Sequence, residues 1–196
     1  SRSKEELGRV TELCFDMGFK QQRVVESYFP NTFTTVDKFH VLFYCAKLID
    51  ADRRILCTKY GYTERENLRQ IMRMPKFKLT EKQWEFLTKV FSEYPELKER
   101  WDIYQKLSNF YQSRDREEGG KRLNKVREAI LDLGEDSYLS SFAKTLKKRE
   151  EEILNYFVNH TTNAYTEGIH TKIKMLKRTS YGFKNIDIYI KKMMLG

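Results

Sequence analysis

Glu12-Leu13-Cys14-Phe15-Asp16 and, twenty-one positions on, Phe33-Thr34-Thr35-Val36-Asp37 are two short runs of strand-forming residues, each closing on an aspartate. β-Branched and aromatic side chains fit a pleated, half-buried surface, so both runs read as strands. Between them, residues 20–29 carry helical spacing (Val24, Val25, Tyr28), and Pro30-Asn31 breaks it. Upstream, Ser3 and Glu6 form a capping-box pattern that starts a short helix. The order helix, strand, helix, strand implies parallel pairing of an α/β kind. Functional groups in such sheets gather at the carboxyl ends of the strands, where Asp16 and Asp37 both stand.

The character changes from Phe39, after which about 120 residues show only helical periodicity. Thr63 with Glu66 and Thr80 with Gln83 are further capping patterns, and Pro95-Glu96 suits a helix first turn. Gly119-Gly120 is expected to punctuate a loop, and Gly134 to end a helix. Trp84, Phe86, Phe91, Trp101, Tyr104, Phe110 and Tyr111 recur at spacings that suit buried helix faces, a better reading than a base-stacking platform. The expected organisation is residues 1–40 as one part of an α/β core, 41–150 as a helical insertion and 151–196 as C-terminal helices with a basic tail.

The chain carries a net charge of +9 over 196 residues. From Thr171 to the end, seven basic residues face one acidic, so +6 of the +9 lies in the tail. A localised basic surface attracts polyanions, whereas the mixed charge upstream reads as solvated helix faces. Apolar runs are a few residues long, far short of the ~20 that cross a bilayer, and the N-terminal residues lack a signal-peptide core. Cys14, Cys45 and Cys57 are odd in number, lack CxxC spacing and sit among apolar residues, which suits core packing in a reducing compartment. A cytoplasmic location is expected.

The stretch from Thr161 to Arg178 is strongly amphipathic, and Thr161 or Thr162 can cap it. Tyr165, Ile169, Ile173 and Leu176 form one face, and Glu167, His170, Lys174 and Arg178 another. Glu167 therefore stands beside a basic row, either as a salt-bridge partner of His170 or Lys174 or as a functional carboxylate. Gly168 costs ~1 kcal/mol in a helix interior relative to Ala, which suggests a close approach to the backbone.

This stretch and its continuation Thr179-Ser180-Tyr181-Gly182-Phe183-Lys184-Asn185-Ile186 resemble the ISL-three family of bacterial insertion-sequence transposases. The family pattern is approximately S/T-N-A-x-x-E-G-x-N-x-K-I-K-x-x-K-R-x-x-Y-G-F/Y-x-N. It is met at Thr162, Asn163, Ala164, Glu167, Gly168, Lys172, Ile173, Lys174, Lys177, Arg178, Tyr181, Gly182, Phe183 and Asn185. Phe15-Asp16-Met17 resembles the family's strand-ending Asp-Met, and Tyr28 to Asn31 followed by Val36 to His40 resembles its F-P-N-A…D-R/K-F-H segment. Phe142 to Leu146, leading into Glu152 to Phe157, resembles the helix before its glutamate, so the resemblance spans nearly the whole chain.

The resemblance implies an RNase H-like core interrupted by a large all-helical insertion, with an α/β class that is mostly helical by content. It makes Asp16 and Glu167 the second and third carboxylates of a DDE triad that holds two Mg²⁺ ions ~4 Å apart for phosphodiester cleavage and strand transfer. Asp37 and His40 resemble a D-x-x-H element with a supporting or conformational role; a strand-end turn with a packing His is the alternative. Lys172, Lys174, Lys177 and Arg178 are expected to contact phosphates of double-stranded DNA at transposon ends, positioning it without reading sequence. Asn163 and Gly168 belong to the supporting set, with Tyr181, which turns the chain back onto the core or stacks on a base. Self-association is an additional option, and neither a membrane nor a small-molecule substrate is expected; association with the nucleoid is.

The sequence departs from the family in three ways. The first aspartate belongs upstream of the segment resembling Ser1 to Gly8, and the zinc-binding and helix-turn-helix region has no counterpart in these residues. His170 stands where the family has Asn, and Gly18-Phe19 replaces bulkier residues. The expectation is thus a transposase fragment, active once the missing strand is supplied; a catalytically inactive DNA-binding or regulatory remnant and a plain protein-interaction domain are the competing readings.

Overall fold

The computed structural model describes residues 7–17, 25, 27–29, 32–179, 187 and 190–191, with backbone alone at 65, 165–167 and 170. Both expected strands form, as β1 (Glu12–Phe15) and β2 (Phe33–Val36). They pair in parallel, in the register Glu12 with Phe33 through Phe15 with Val36. The ladder runs past the strands: the amide of Phe33 donates to the Thr11 carbonyl at 2.9 Å and that of Asp37 to the Phe15 carbonyl at 2.9 Å. Asp16 and Asp37 consequently leave the sheet side by side. The Ser3 and Glu6 cap and most of the expected helix over 20–29 lie outside the described residues.

The structure is otherwise mostly helical. Helix α1 (Lys38–Lys59) starts directly after β2 and turns Val41, Cys45, Ile49 and Leu56 inward. It is followed by α2 (Arg65–Met72), a 3-10 turn (Lys76–Lys78), α3 (Glu81–Glu93), α4 (Pro95–Phe110), α5 (Arg116–Leu131), α6 (Ser140–Lys148), α7 (Glu150–Leu154) and α8 (Tyr156–Asn159). Helix α4 is central, packing on α1, α3 and α5, and α7 returns to cover β2. The aromatic residues act as core: Phe91, Trp101, Tyr104 and Phe110 are buried, while Trp84, Phe86 and Tyr111 pack against them. Cys45 and Cys57 are buried and Cys14 is half-buried. Burial pushes the Cys45 thiol far above its ordinary range, which keeps it protonated and inert.

Two polar groups tie the helical layers to α1. Asp52 is 5% exposed and accepts from Ser137 Oγ at 2.5 Å, the Tyr138 amide at 2.8 Å and Arg100 Nε at 3.4 Å. Asp50 pairs with Arg53 Nη2 at 2.7 Å and Arg54 Nη2 at 3.1 Å within α1, and with Arg69 Nε of α2 at 3.7 Å. Burying a carboxylate is costly unless it is paired and hydrogen-bonded, so these contacts set the register of the helices that supply the donors.

Turn and cap chemistry explains most boundaries. Thr80 caps α3 with a full capping box, its hydroxyl accepting from the Gln83 amide at 3.3 Å and Gln83 Oε1 accepting from the Thr80 amide at 2.9 Å. Pro95 opens α4 at its first position, and Gly134 takes φ +82° just beyond α5. Two expectations are corrected. Thr63 does not cap α2, because Glu64 takes the N-cap position and Glu66 reaches forward to Arg69 at 3.2 Å instead of back. Hydrogen bonds from Gln70 and Arg69 hold the Glu66 carboxyl below its usual range. Gly119 and Gly120 do not break the chain into a loop; both lie inside α5. A Cβ on Gly119 would meet Phe157 Cε2 at 2.6 Å, so glycine there lets the ring of α8 lie against the helix backbone.

The chain divides into two compact units, Ser1–Thr161 and Thr162–Gly196. The second is represented chiefly by α9 (Ala164–Thr179), whose first turn receives the Thr162 hydroxyl as acceptor from the Ala164 amide at 3.4 Å.

Candidate active site

Parallel pairing puts Asp16 and Asp37 on adjacent strand ends, and the first turn of α1 brings His40 over both. Asp37 occupies the N-cap position of α1 yet makes no capping bond with its side chain. Its Oδ2 meets His40 Nδ1 at 2.7 Å instead, and His40 Nε2 meets Asp16 Oδ1 at 3.1 Å. The three residues form a chain from a fully buried carboxylate, through a half-buried imidazole, to a carboxylate that is 58% exposed. Neutral imidazole carries one N–H and donates to one of these carboxylates; the doubly protonated ring donates to both. Either form orients the ring from the buried side and leaves Asp16 facing outward.

The floor of this arrangement comes from the helices that return to the sheet. Asn155 Nδ2 donates to the Thr34 carbonyl at 2.8 Å, and Lys38 Nζ donates to the Tyr156 hydroxyl at 2.8 Å. Tyr111 packs edge-on against Tyr156, with ring centroids 5.3 Å apart. Burial, reinforced by the nearby Asp37 carboxylate, pushes the Tyr111 phenol well above its ordinary value, so it remains neutral. Arg149 lies 5.7 Å over the Phe15 ring and pairs with Glu152 at 3.0 Å. Strand β1 is thereby contacted from 134 positions downstream and β2 from 121.

A cavity of about 670 Å³ opens beside Asp16, lined by His40, Phe43, Tyr44, Lys47 and Thr145 among others. Phe43, Tyr44 and Lys47 are site residues that sequence reasoning missed. Their signal was the repeat of aromatic and basic residues one turn apart, directly after Asp37 and His40.

The remaining candidates lie in the second unit. Glu167 closes the first turn of α9 and Gly168 follows it; a Cβ at Gly168 would meet nothing within 4 Å. Asn163 stands in the turn preceding the helix, and Lys172, Lys174, Lys177 and Arg178 are all exposed. Lys174, Lys177 and Arg178, at i, i+3 and i+4, share a face, and Lys172 stands off that row. Tyr181 lies outside the described residues. Structure therefore brings Asp16, Asp37 and His40 together in one unit and strings the basic residues along one helix of the other.

Among the described residues no three His, Cys, Asp or Glu side chains are grouped to hold a metal ion. Asp16 nevertheless offers what a hard divalent cation takes, an exposed carboxylate oxygen at a cavity mouth. No helix among the described residues is long and apolar enough to cross a membrane.

Compared with known proteins, the chain matches the family model of the ISL-three DDE group, described as a transposase, over residues 1–193. No curated protein and no solved structure matches it. A match of that length, with the strand-end aspartates and the Glu167 helix inside it, shows the family: the chain belongs to the ISL-three transposases.

Proposed function

We propose that the chain forms part of the catalytic domain of a Mg²⁺-dependent transposase with an RNase H-like core, in which Asp16 and Glu167 are two of three metal-holding carboxylates. Membership of the family makes DNA transposition its general role. The observation that carries the finer reading is the Asp37–His40–Asp16 chain at the carboxyl ends of parallel strands. A buried carboxylate and an imidazole are spent on fixing one exposed carboxylate, an arrangement that a merely soluble surface aspartate does not need.

Bound divalent ions would supply Lewis-acid activation of an attacking water or 3′-hydroxyl and stabilise the leaving oxygen in phosphodiester displacement. Asp16 and Glu167 would hold them together with the remaining carboxylate of the triad that the family resemblance implies. Asp37 and His40 are positioning residues: the buried carboxylate sets the ring, and the ring limits the rotamers of Asp16. The exposed Lys172, Lys174, Lys177 and Arg178 neutralise DNA phosphates approaching an acidic site, which otherwise repels them.

Strand cleavage at a transposon end by the polypeptide that carries this chain tests the proposal. Asp16→Asn and Glu167→Gln are each expected to reduce the rate at least about 100-fold, the scale of losing an electrostatic contact to the transition state. His40→Ala is expected to raise the Mg²⁺ concentration needed for half-maximal rate while retaining activity at saturation. Unchanged rates in the first two variants would contradict the assignment.

A further inference from the structure

Helix α1 carries a second feature on its outer side. Phe39, Phe43 and Lys47 follow i, i+4, i+8 along α1, so they stack one above another on a single face. Phe39 is 48% and Phe43 61% exposed, while the core uses the opposite face of the same helix. Large apolar side chains left in water beside a cleft mark a binding surface more often than chance exposure does.

Two observations narrow what binds. The cavity of about 670 Å³ that Phe43, Tyr44 and Lys47 line also contains Asp16 and His40, so its occupant lies against the proposed cleavage carboxylate. Its size falls within the roughly 300–1,000 Å³ of sites that enclose one small organic group. The walls are also pre-set: Tyr44 rests edge-on against the buried Phe142 ring at 5.8 Å, and α1 is tied at its start by Asp37 to His40. Aromatic faces on a rigid helix with an ammonium one turn away match the needs of a nucleobase and its phosphate. A base still paired and stacked in a duplex cannot lie on Phe43; an unpaired one can.

We propose that this cavity is a subsite for an unpaired nucleotide of DNA, its base stacked on Phe43 against Tyr44 and its phosphate paired with Lys47. The subsite rests on the reading of Asp16 as a strand-cleavage carboxylate, and it holds the nucleotide next to the bond that is cut. Lys47 compensates locally for the repulsion between that phosphate and Asp16.

Binding of this chain to a fluorescent oligothymidylate of about 12 nucleotides, and to a duplex of the same length, tests the subsite when both are measured in EDTA. Phe43→Ala is expected to weaken single-strand binding about ten-fold and duplex binding less than about two-fold, whereas Phe43→Trp retains both. Lys47→Gln is expected to lower the slope of log affinity against log salt by about 0.7 for the single strand. Phe77→Ala, a control at a 67% exposed aromatic elsewhere, leaves both affinities unchanged. Single-strand affinity unaffected by Phe43→Ala, equal losses on both DNAs, or a change of oligomeric state in that variant would each overturn the proposal, the last by showing a protein–protein surface. Because metal is withheld, a failure here leaves the cleavage test of Asp16 untouched, and a failure there leaves the stacking result standing.

Discussion

His40 stands between two carboxylates of opposite character, one sealed under the fold and one facing a cavity. Replacing Asp37 by Asn keeps the shape but exchanges an acceptor for a mixed amide, so the ring loses its charge-assisted partner on the buried side. Two adjacent glycines report on the packing under the site. Gly119→Ala forces a Cβ to within 2.6 Å of a Phe157 ring that is itself wedged against Phe110, so it should destabilise the fold by about 1–3 kcal/mol. Gly120→Ala, whose Cβ meets only Leu154 Cδ1 at 3.9 Å, should stabilise it by roughly 0.5–1 kcal/mol through helix propensity. Urea unfolding of the pair reads opposite signs; a loop at these positions would make both nearly neutral. The sequence suggested a loop because two adjacent glycines are helix breakers on propensity, and the ring that demands one of them comes from 38 positions downstream. Asp37 and His40 were singled out together from their D-x-x-H spacing, which the start of α1 turns into a direct contact. Contact with Asp16 was not, because it depends on strand register.

Elements were read best where a local rule acts alone. Strands β1 and β2, the capping box of α3 and the Pro95 start all follow from neighbouring residues, and all form as expected. Thr63 shows how a local rule fails: the helix start slides by one residue, and Glu66 finds a better partner in Arg69 than in a backbone amide. What no local rule reveals is that α1 contains two buried aspartates in an otherwise ordinary amphipathic pattern. Their partners, Arg100, Ser137 and Tyr138 for Asp52, are distant in sequence and visible only once folded. Asp52→Ala should therefore cost about 3 kcal/mol, since it leaves the Ser137 hydroxyl and the Tyr138 amide without this acceptor and takes one partner from the largely buried Arg100 guanidinium, which keeps Glu99 and the Glu96 carbonyl. Thr80→Ala should cost only about 1 kcal/mol, the value of a lost N-cap. Near-equal losses in chemical denaturation would mean that Asp52 does not join the layers.

At the scale of the whole molecule, charge separates the two units. The tail from Thr171 holds +6 of the net +9, and on α9 Lys172, Lys174, Lys177 and Arg178 are exposed. Replacing all four by Gln should reduce the slope of log affinity against log salt for duplex DNA by about 3–4, with little dependence on its sequence. An unchanged slope would place the DNA contacts elsewhere. Family membership was legible because its motif is dense along one short stretch, Thr162 to Arg178, where spacing alone carries the pattern. The floor of the site was not, because Lys38 with Tyr156 and Asn155 with the Thr34 carbonyl each join residues more than a hundred positions apart. Asp16 and Glu167 are proposed to share divalent ions. Titration of the isotope-labelled chain with Mn²⁺ tests it most directly: paramagnetic broadening should reach the amides flanking both residues together, and Asp16→Asn or Glu167→Gln should each abolish it at both. Broadening confined to one of the two positions, or surviving either substitution, would contradict a shared site.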